Sequence, residues 1–221
     1  MKSIKEDLIN LVLSAISEIE DKYYAKDNYA FVYEKGFCYE FYHQFRLLLC
    51  QTPFKELTLS GEPYKNLAIQ LSQVGTNIRN KKTVYPDFVL HKGLNDAAPE
   101  NQLIAIEVKR KKQISNGTKR KTGRSPFEND IWKLRLLMEK FKFTIGVFIA
   151  IDADVKYLEK KLKENKELLK FPDNDKLYFI AVKSRNAIRT NTTSKTAVKY
   201  ENLDEKQFCF TAQQFVGKIQ K

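Results

Sequence analysis

Two short runs of apolar, strand-like sequence each contain an acidic residue, and the two acids could together bind a metal ion. Positions 86–89 read Pro-Asp-Phe-Val, and positions 106–109 read Ile-Glu-Val-Lys. Nineteen residues separate Asp87 from Glu107, and Lys109 follows Glu107 by two. An ionised carboxylate in a buried strand is costly unless it is paired or holds a metal. Two such carboxylates and a lysine on neighbouring strands predict a site for a hard divalent cation beside a phosphate.

Side-chain alternation groups these residues further. Residues 103–109 read Leu-Ile-Ala-Ile-Glu-Val-Lys. Because side chains in a strand alternate with a period of two, Glu107 and Lys109 share one face at the strand end. Residues 84–91 are typical of the preceding strand, and the residues between the two strands favour turns. A hairpin or similar short connection would therefore bring Asp87 beside Glu107.

The composition indicates a single basic domain. The chain has 221 residues, 43% of them hydrophobic, with no long linker and no repeat. Its net charge of +12 favours a polyanionic partner. Three cysteines without a CxxC pair favour a reducing, cytoplasmic compartment over a zinc ribbon or a disulfide framework. The N-terminus lacks the pattern of a signal peptide, and no segment approaches the ~20 apolar residues of a membrane span.

Hydrophobic periodicity predicts a mixed central β-sheet flanked by α-helices, an α/β fold. We expect one domain over 1–221, with an N-terminal helix in 1–28, a core in 29–183 and a C-terminal extension in 184–221. The predicted helices cover 4–19, 29–51, 127–142 and 154–170, with a short one after Thr211. The predicted strands cover 57–64, 84–91, 103–109, 143–151, 177–182 and 207–210, with a polar helix or loop up to Lys82 and a loop at 113–126.

The two charged runs, their order and the helix from 130 to 140 resemble the PD-(D/E)XK nuclease superfamily, over roughly residues 30–151. The resemblance implies a restriction-endonuclease-like fold and a Mg²⁺-dependent nuclease, with Mn²⁺ as a substitute. It implies that Asp87 and Glu107 bind the metal, that the carbonyl of Val108 is a further ligand, and that Lys109 lies beside the attacked phosphate. DNA is the expected substrate, cut as by an endonuclease in restriction, phage defence or repair.

Members of this superfamily often add a glutamate from the helix that precedes the sheet, and two residues here are candidates. On a helical wheel, Glu34 falls within the apolar stripe that contains Phe37 and Phe41. Glu40 lies about 100° away from Phe41, among polar residues. A carboxylate on the apolar stripe suits a metal site, so we favour Glu34 and keep Glu40 as the alternative.

Three further residues are secondary candidates. Glu62 ends the strand at 57–64 and would border the site, although turn chemistry explains its segment almost as well. Asp130 and Lys133 lie one turn apart at the start of a helix. They either face the site or form an ordinary i,i+3 ion pair.

A basic segment leaves the second charged strand directly. It contains eight basic residues and no acid: Lys109, Arg110, Lys111, Lys112, Lys119, Arg120, Lys121 and Arg124. Such a loop beside a metal site predicts a grip on the phosphate backbone. The simpler interpretation is a solvated surface loop.

Two other functions stay open. One is a non-catalytic nucleic-acid-binding protein that keeps the nuclease fold, and the other is a subunit whose cleavage a partner licenses. The sequence does not separate DNA from RNA as the substrate, or a homodimer from a complex with a partner subunit. No P-loop is present in the sequence, so any ATP-driven step would come from another chain.

Overall fold

A six-stranded mixed sheet forms the centre of the protein in a computed structural model, which describes residues 4–20, 23, 34–61, 86–92, 98–116, 124–169, 174–182 and 209–211. The spatial order of the strands equals their order in the chain. The second strand is antiparallel to both the first and the third, the third to fifth are parallel, and the sixth is antiparallel to the fifth. The strands are β1 (Thr58–Gly61), β2 (Phe88–His91), β3 (Gln102–Arg110), β4 (Ile145–Ile151), β5 (Leu177–Val182) and β6 (Cys209–Thr211).

Helices cover both faces of this sheet. They are α1 (Ile4–Ser17), α2 (Glu34–Leu49), α3 (Lys111–Asn116), α4 (Pro126–Phe141) and α5 (Val155–Glu164), with short 3₁₀ turns at Pro99–Asn101 and Lys166–Leu169. Residues of α1 and α2 share one hydrophobic cluster with Ile106 and Val108 of β3. Residues of α4 and α5 share the other with Ala105 of β3. Glu107 has the same parity as Ala105, so its side chain leaves β3 toward α4.

The start of α4 is fixed by local sequence. Ser125 Oγ accepts a hydrogen bond from the Glu128 backbone N–H at 3.2 Å, and Glu128 Oε2 accepts one from the Ser125 N–H at 2.5 Å. This reciprocal pair is a capping box, and Pro126 begins the helix because its missing N–H needs no partner there. The helix ends at Lys142, whose φ of 61° is left-handed. These signals set the register in which α4 presents its first turns to β3.

Aromatic packing fixes α2 against the sheet. Phe37, Phe41 and Phe45 are fully buried along one side of the helix. The Phe41 ring also lies 5.4 Å from that of Phe88, the first residue of β2. The middle of α2 is thereby held against the start of β2.

The α/β class and the mixed sheet flanked by helices are confirmed. The predicted loop at 113–126 is wrong at its start, because α3 occupies Lys111–Asn116. Ile114 buries its side chain there, and Gln113 Oε1 accepts a hydrogen bond from the Arg110 N–H at 3.0 Å. A single apolar residue was too little to reveal this one-turn helix by periodicity.

Element ends differ from the expected ones by a few residues. The helix predicted at 154–170 ends at Glu164 and continues as a 3₁₀ turn, and the strand predicted at 207–210 is β6. The C-terminal extension therefore contributes a strand to the sheet. The polar segment up to Lys82 and the short helix after Thr211 lie outside the described residues. Within the described part of the chain, no helix has the length and apolar character needed to span a membrane.

Candidate active site

Asp87 lies directly before β2, where the ladder with β3 ends. Phe88 pairs with Ile106 in antiparallel register, so Asp87 comes beside Glu107 at the next position. Its Oδ2 accepts a hydrogen bond from the Val108 N–H at 2.7 Å. Burial raises the pKa of Asp87 above its ordinary value, and this hydrogen bond opposes the rise.

Val108 directly follows Glu107, and its backbone contacts Asp87. Its side chain is buried in the core on the α1 and α2 side. The N–H and C=O of one strand residue leave the strand at the same edge. Because the Val108 N–H points to Asp87, the Val108 carbonyl also faces the edge where Asp87 lies.

Glu107 is the most deeply placed acid of the group, with 0% of its surface exposed. Its Oε1 lies 2.5 Å from Lys133 Nζ. Its Oε2 is buried and has no hydrogen-bond partner among the described residues. Burial raises the pKa of Glu107 well above its ordinary value of 4.5, and the negative charges of Asp87 and Asp130 raise it further, while Lys133 lowers it. A buried carboxylate oxygen in this position calls for a cation or a proton.

Lys109 joins the strand to both flanking helices. Its Nζ lies 3.4 Å from Asp130 Oδ2 on α4 and 3.6 Å from Glu34 Oε1 on α2. Burial alone would lower the pKa of Lys109, but the surrounding carboxylates outweigh it and the pKa is raised. The ammonium group is therefore charged at neutral pH and is not a general base.

Asp130 and Lys133 make their i,i+3 ion pair, at 3.1 Å, and also face the strand acids. Lys133 bridges Asp130 and Glu107, and Asp130 contacts Lys109 in addition. Burial would lower the pKa of Lys133, yet Glu107 and Asp130 raise it. Asp130 and Lys133 thus make the i,i+3 ion pair and also contact the strand residues, because the first turns of α4 pack directly over β3.

The two candidate glutamates of α2 differ in position. Glu34 begins the helix, with Oε1 near Lys109 and with a buried Oε2 that has no hydrogen-bond partner in the described part of the chain. Glu40 Oε1 instead accepts a hydrogen bond from Gln44 Nε2 at 2.7 Å, within α2 itself. The structure therefore brings Glu34, and not Glu40, to Lys109. Glu62 lies outside the described residues.

The charges of this cluster do not balance. Its members are Glu34, Asp87, Glu107 and Asp130, together with Lys109 and Lys133. Four carboxylates against two ammonium groups leave a formal charge of −2 when all are ionised. A single divalent cation would neutralise that excess, and carboxylate oxygens are the ligands that Mg²⁺ prefers.

The described residues contain no group of three Asp, Glu, His or Cys side chains already arranged around one point. Lysine ammonium groups lie among the carboxylates instead, with Lys133 against Glu107. The donor set and the unpartnered oxygen of Glu107 fit a hard cation in charge and chemistry. Binding would require Lys133 to give up its contact with Glu107.

A cavity of about 380 Å³ opens beside the cluster. Asp87 and Glu34 form part of its wall, and α2 and the start of β2 form the rest. Its lining residues are Glu34, Lys35, Cys38, Tyr39, Tyr42, Gly61, Asp87 and Phe88. Sequence reasoning missed the two tyrosines. The available signal was their helical spacing from Lys35 on the side of α2 away from the phenylalanine stripe.

The basic segment is only partly described, and its visible residues make different contacts. Arg110 Nη2 donates to Asp152 Oδ2 at 2.7 Å, so its charge is already paired. The Lys111 ammonium lies 4.8 Å from the centre of the Tyr157 ring, and the Arg124 guanidinium lies 4.9 Å from the Trp132 ring. Lys112 is exposed. Lys119, Arg120 and Lys121 lie outside the described residues.

Comparison with known proteins identifies no relative: no family model, curated protein or solved structure matches the chain.

Proposed function

We propose that this protein is a metal-dependent nuclease of the PD-(D/E)XK type, with a restriction-endonuclease-like fold, that hydrolyses phosphodiester bonds in DNA. The observation that carries the proposal is the buried Glu107 carboxylate, which leaves one oxygen without a hydrogen-bond partner among the described residues, beside Asp87. A protein has little reason to keep such a group unless an ion uses it. The arrangement of Asp87 before β2 and Glu107 and Lys109 on antiparallel β3 supports the same type.

In this proposal, Asp87, Glu107 and the Val108 carbonyl would hold Mg²⁺. The ion would supply a bound water of lowered pKa and a positive charge beside the phosphate. Asp87 is oriented for this role by the hydrogen bond from the Val108 N–H. Burial of Glu107 keeps its carboxylate in a region of low dielectric, where interaction with a cation is strong.

Lys109 supplies the fixed positive charge of the mechanism. Its raised pKa keeps it protonated, so it stabilises charge on the attacked phosphate and does not abstract a proton. Glu34 and Asp130 hold its ammonium group from the two helices. The net charge of +12 supports binding of a polyanion.

The test is cleavage of circular and linear DNA by purified protein with Mg²⁺, Mn²⁺ or EDTA, with RNA as a parallel substrate. We expect nicking of the circle with either ion and none in EDTA. Asp87→Ala, Glu107→Ala and Lys109→Ala should each reduce the rate by at least about 100-fold, as loss of one charge-stabilising group does. DNA affinity should change little, because binding rests on the basic surface.

Glu139→Ala is the matched control, since Glu139 lies on α4 but is exposed and pairs only with its neighbour Lys140 among the contacts described. It should cleave at the wild-type rate. Wild-type cleavage by Asp87→Ala would reject the mechanism. Tight DNA binding without cleavage by the wild-type protein under any ion would favour the non-catalytic alternative, or cleavage licensed by a partner.

A further inference from the structure

One face of α2 carries two aromatic residues flanked by two basic ones. Lys35, Tyr39, Tyr42 and Arg46 are spaced by four, three and four residues, which places them within about 60° of one another around the helix. This face is distinct from the stripe of buried phenylalanines. Surfaces that bind single-stranded nucleic acid combine aromatic rings with positive charge in this way.

Tyr39 is the outer wall of the cavity beside Asp87. It is 72% exposed. Among the described residues, it is the most exposed of the large hydrophobic ones. Its ring is therefore accessible to a flat ligand.

Tyr42 is the fixed inner wall. Its ring lies 6.3 Å from that of Phe88, with only 23° between the planes. The Arg46 guanidinium lies 5.8 Å from the centre of the Tyr42 ring, and Arg46 Nη1 donates to the Tyr42 hydroxyl at 3.3 Å. Contacts with both Phe88 and Arg46 hold this ring in one orientation, so it forms a preorganised wall of the cavity and the exposed Tyr39 ring is left to stack on a ligand.

Gly61 keeps open the space beside the rings of Tyr42 and Phe88. A Cβ atom at this position would lie 3.4 Å from Phe88 Cε1 and 3.9 Å from Tyr42 Cδ2. Any side chain there would extend into the cavity. The cavity volume of about 380 Å³ falls in the usual range of small-ligand sites, roughly 300–1,000 Å³.

We propose that this aromatic cleft, formed by Tyr39, Tyr42, Gly61 and Phe88, stacks an unpaired base of the nucleic-acid strand whose phosphate reaches Asp87. The inference rests on the proposed function and adds a substrate class: single-stranded or locally unpaired DNA. A base inside a duplex has both faces covered by its neighbours and cannot enter such a cleft without leaving the stack. Because two carboxylates, Glu34 and Asp87, line the cavity, a neutral base suits it better than a second phosphate.

The test measures binding by the full-length protein in EDTA, so that no cleavage occurs. Fluorescence anisotropy compares a labelled single strand with a hairpin duplex of the same sequence whose loop is a non-nucleotide linker, so that the hairpin contains no unpaired base. Tyr39→Ala should weaken binding of the single strand roughly 5- to 150-fold, the range for loss of one stacked base. Binding of the hairpin should change by less than about twofold, because its bases are already stacked. Tyr39→Phe keeps the ring and should bind like the wild type.

Two further variants separate stacking from general effects. Leu47→Ala changes another exposed hydrophobic residue of α2 outside the cleft and should leave both affinities unchanged. Gly61→Val fills the cleft and should repeat the Tyr39→Ala loss without removing a ring. A 2-aminopurine base in the single strand should be quenched by wild-type protein and not by Tyr39→Ala, since stacking causes the quenching.

Equal losses for strand and hairpin, or no loss in Tyr39→Ala, would overturn the cleft proposal. Either outcome, together with intact Mg²⁺-dependent cleavage, would reject the cleft proposal and leave the nuclease proposal standing. Selective binding of the single strand through Tyr39 without cleavage under any ion would instead reject the nuclease and keep the cleft. Because binding in EDTA and cleavage with Mg²⁺ are measured separately, the two failures are distinguishable.

Discussion

Glu107→Gln is expected to stabilise the metal-free protein while removing its response to Mg²⁺. The wild-type carboxylate is fully buried, and Oε2 has no hydrogen-bond partner within the described residues. An amide of nearly the same shape removes one negative charge from a cluster with a formal excess of two. Lys133 keeps its contact with Asp130 at 3.1 Å and is 18% exposed, so it is not left without a counter-ion.

The magnitude follows from the charge of the buried group. The amide still leaves one polar atom without a partner, but an unsatisfied buried group costs more when it is charged, and we take the difference as about 1–3 kcal/mol. For a chain of this size, each kcal/mol shifts Tm by roughly 2–4 °C, so Glu107→Gln should raise the Tm in EDTA by about 2–12 °C. The opposing effect is loss of the ion pair with Lys133, which would cost about 3–5 kcal/mol if Lys133 had no other partner. Because Lys133 keeps its contact with Asp130, we expect the stabilising effect of the substitution to exceed the cost of losing this ion pair.

The effect should depend on pH in a defined direction. The pKa of Glu107 is raised in the folded protein, so above about pH 4.5 the unfolded chain loses this proton while the folded chain keeps it. Wild-type stability therefore falls as pH rises from 4.5 toward the folded pKa, and is then constant with respect to this group. The advantage of Glu107→Gln should grow over that window and level off above it.

Thermal unfolding in EDTA and in Mg²⁺, across a pH series, measures the change in Tm, its dependence on pH and the response to Mg²⁺. Mg²⁺ should raise the wild-type Tm, by an amount equivalent to about 2.7 kcal/mol at 100 times its dissociation constant, and leave Glu107→Gln unmoved. Glu139→Gln on α4, the helix that packs over Glu107, is the control. Its side chain is 56% exposed, so the Tm should hardly change. If Glu107→Gln melts below the wild type in EDTA, the contact with Lys133 is a stabilising ion pair and the reasoning from charge excess fails.

Two other predictions concern the basic segment and the core. Replacing Lys119, Arg120, Lys121 and Arg124 with Ala should weaken binding to unrelated duplexes by similar factors and make the plot of log affinity against log salt shallower by up to about 0.9 per lost contact. An unchanged slope, as expected for the exposed pair Lys160→Ala and Lys163→Ala on α5, would identify the segment as solvated surface. Gly146→Val should lower the free energy of unfolding by about 1–3 kcal/mol, since its Cβ would meet Met138 Sδ at 3.1 Å and Leu134 Cβ at 3.4 Å. In chemical denaturation, Gly36→Ala should instead be more stable than the wild type by about 0.5–1 kcal/mol, because nothing lies within 4 Å of a Cβ there and a helical glycine is entropically costly. Equal stability of Gly146→Val and the wild type would show that α4 shifts freely over β4.

The sequence by itself determined the strands that carry the acids and the relation between neighbours along them. The period of two in residues 103–109 predicts that Glu107 and Lys109 share a face, and in the structure both reach Asp130 or Lys133 of α4. The apolar stripe of α2 likewise separates Glu34 from Glu40. These inferences succeed in describing position because they depend on local geometry, which repeats along a strand or helix irrespective of the rest of the chain.

Only the tertiary structure decided which groups meet across elements. Lys133 reaches Glu107 because α4 crosses over β3 on the way to the parallel strand β4. The cleft beside Asp87 likewise needs Tyr39 from α2, Gly61 from β1 and Phe88 from β2. No periodicity encodes such meetings, because they depend on the packing of elements that are far apart in the chain. The short helix α3 was not predicted, because one apolar residue, Ile114, carries too little pattern. The helix depends on the core into which the Ile114 side chain packs.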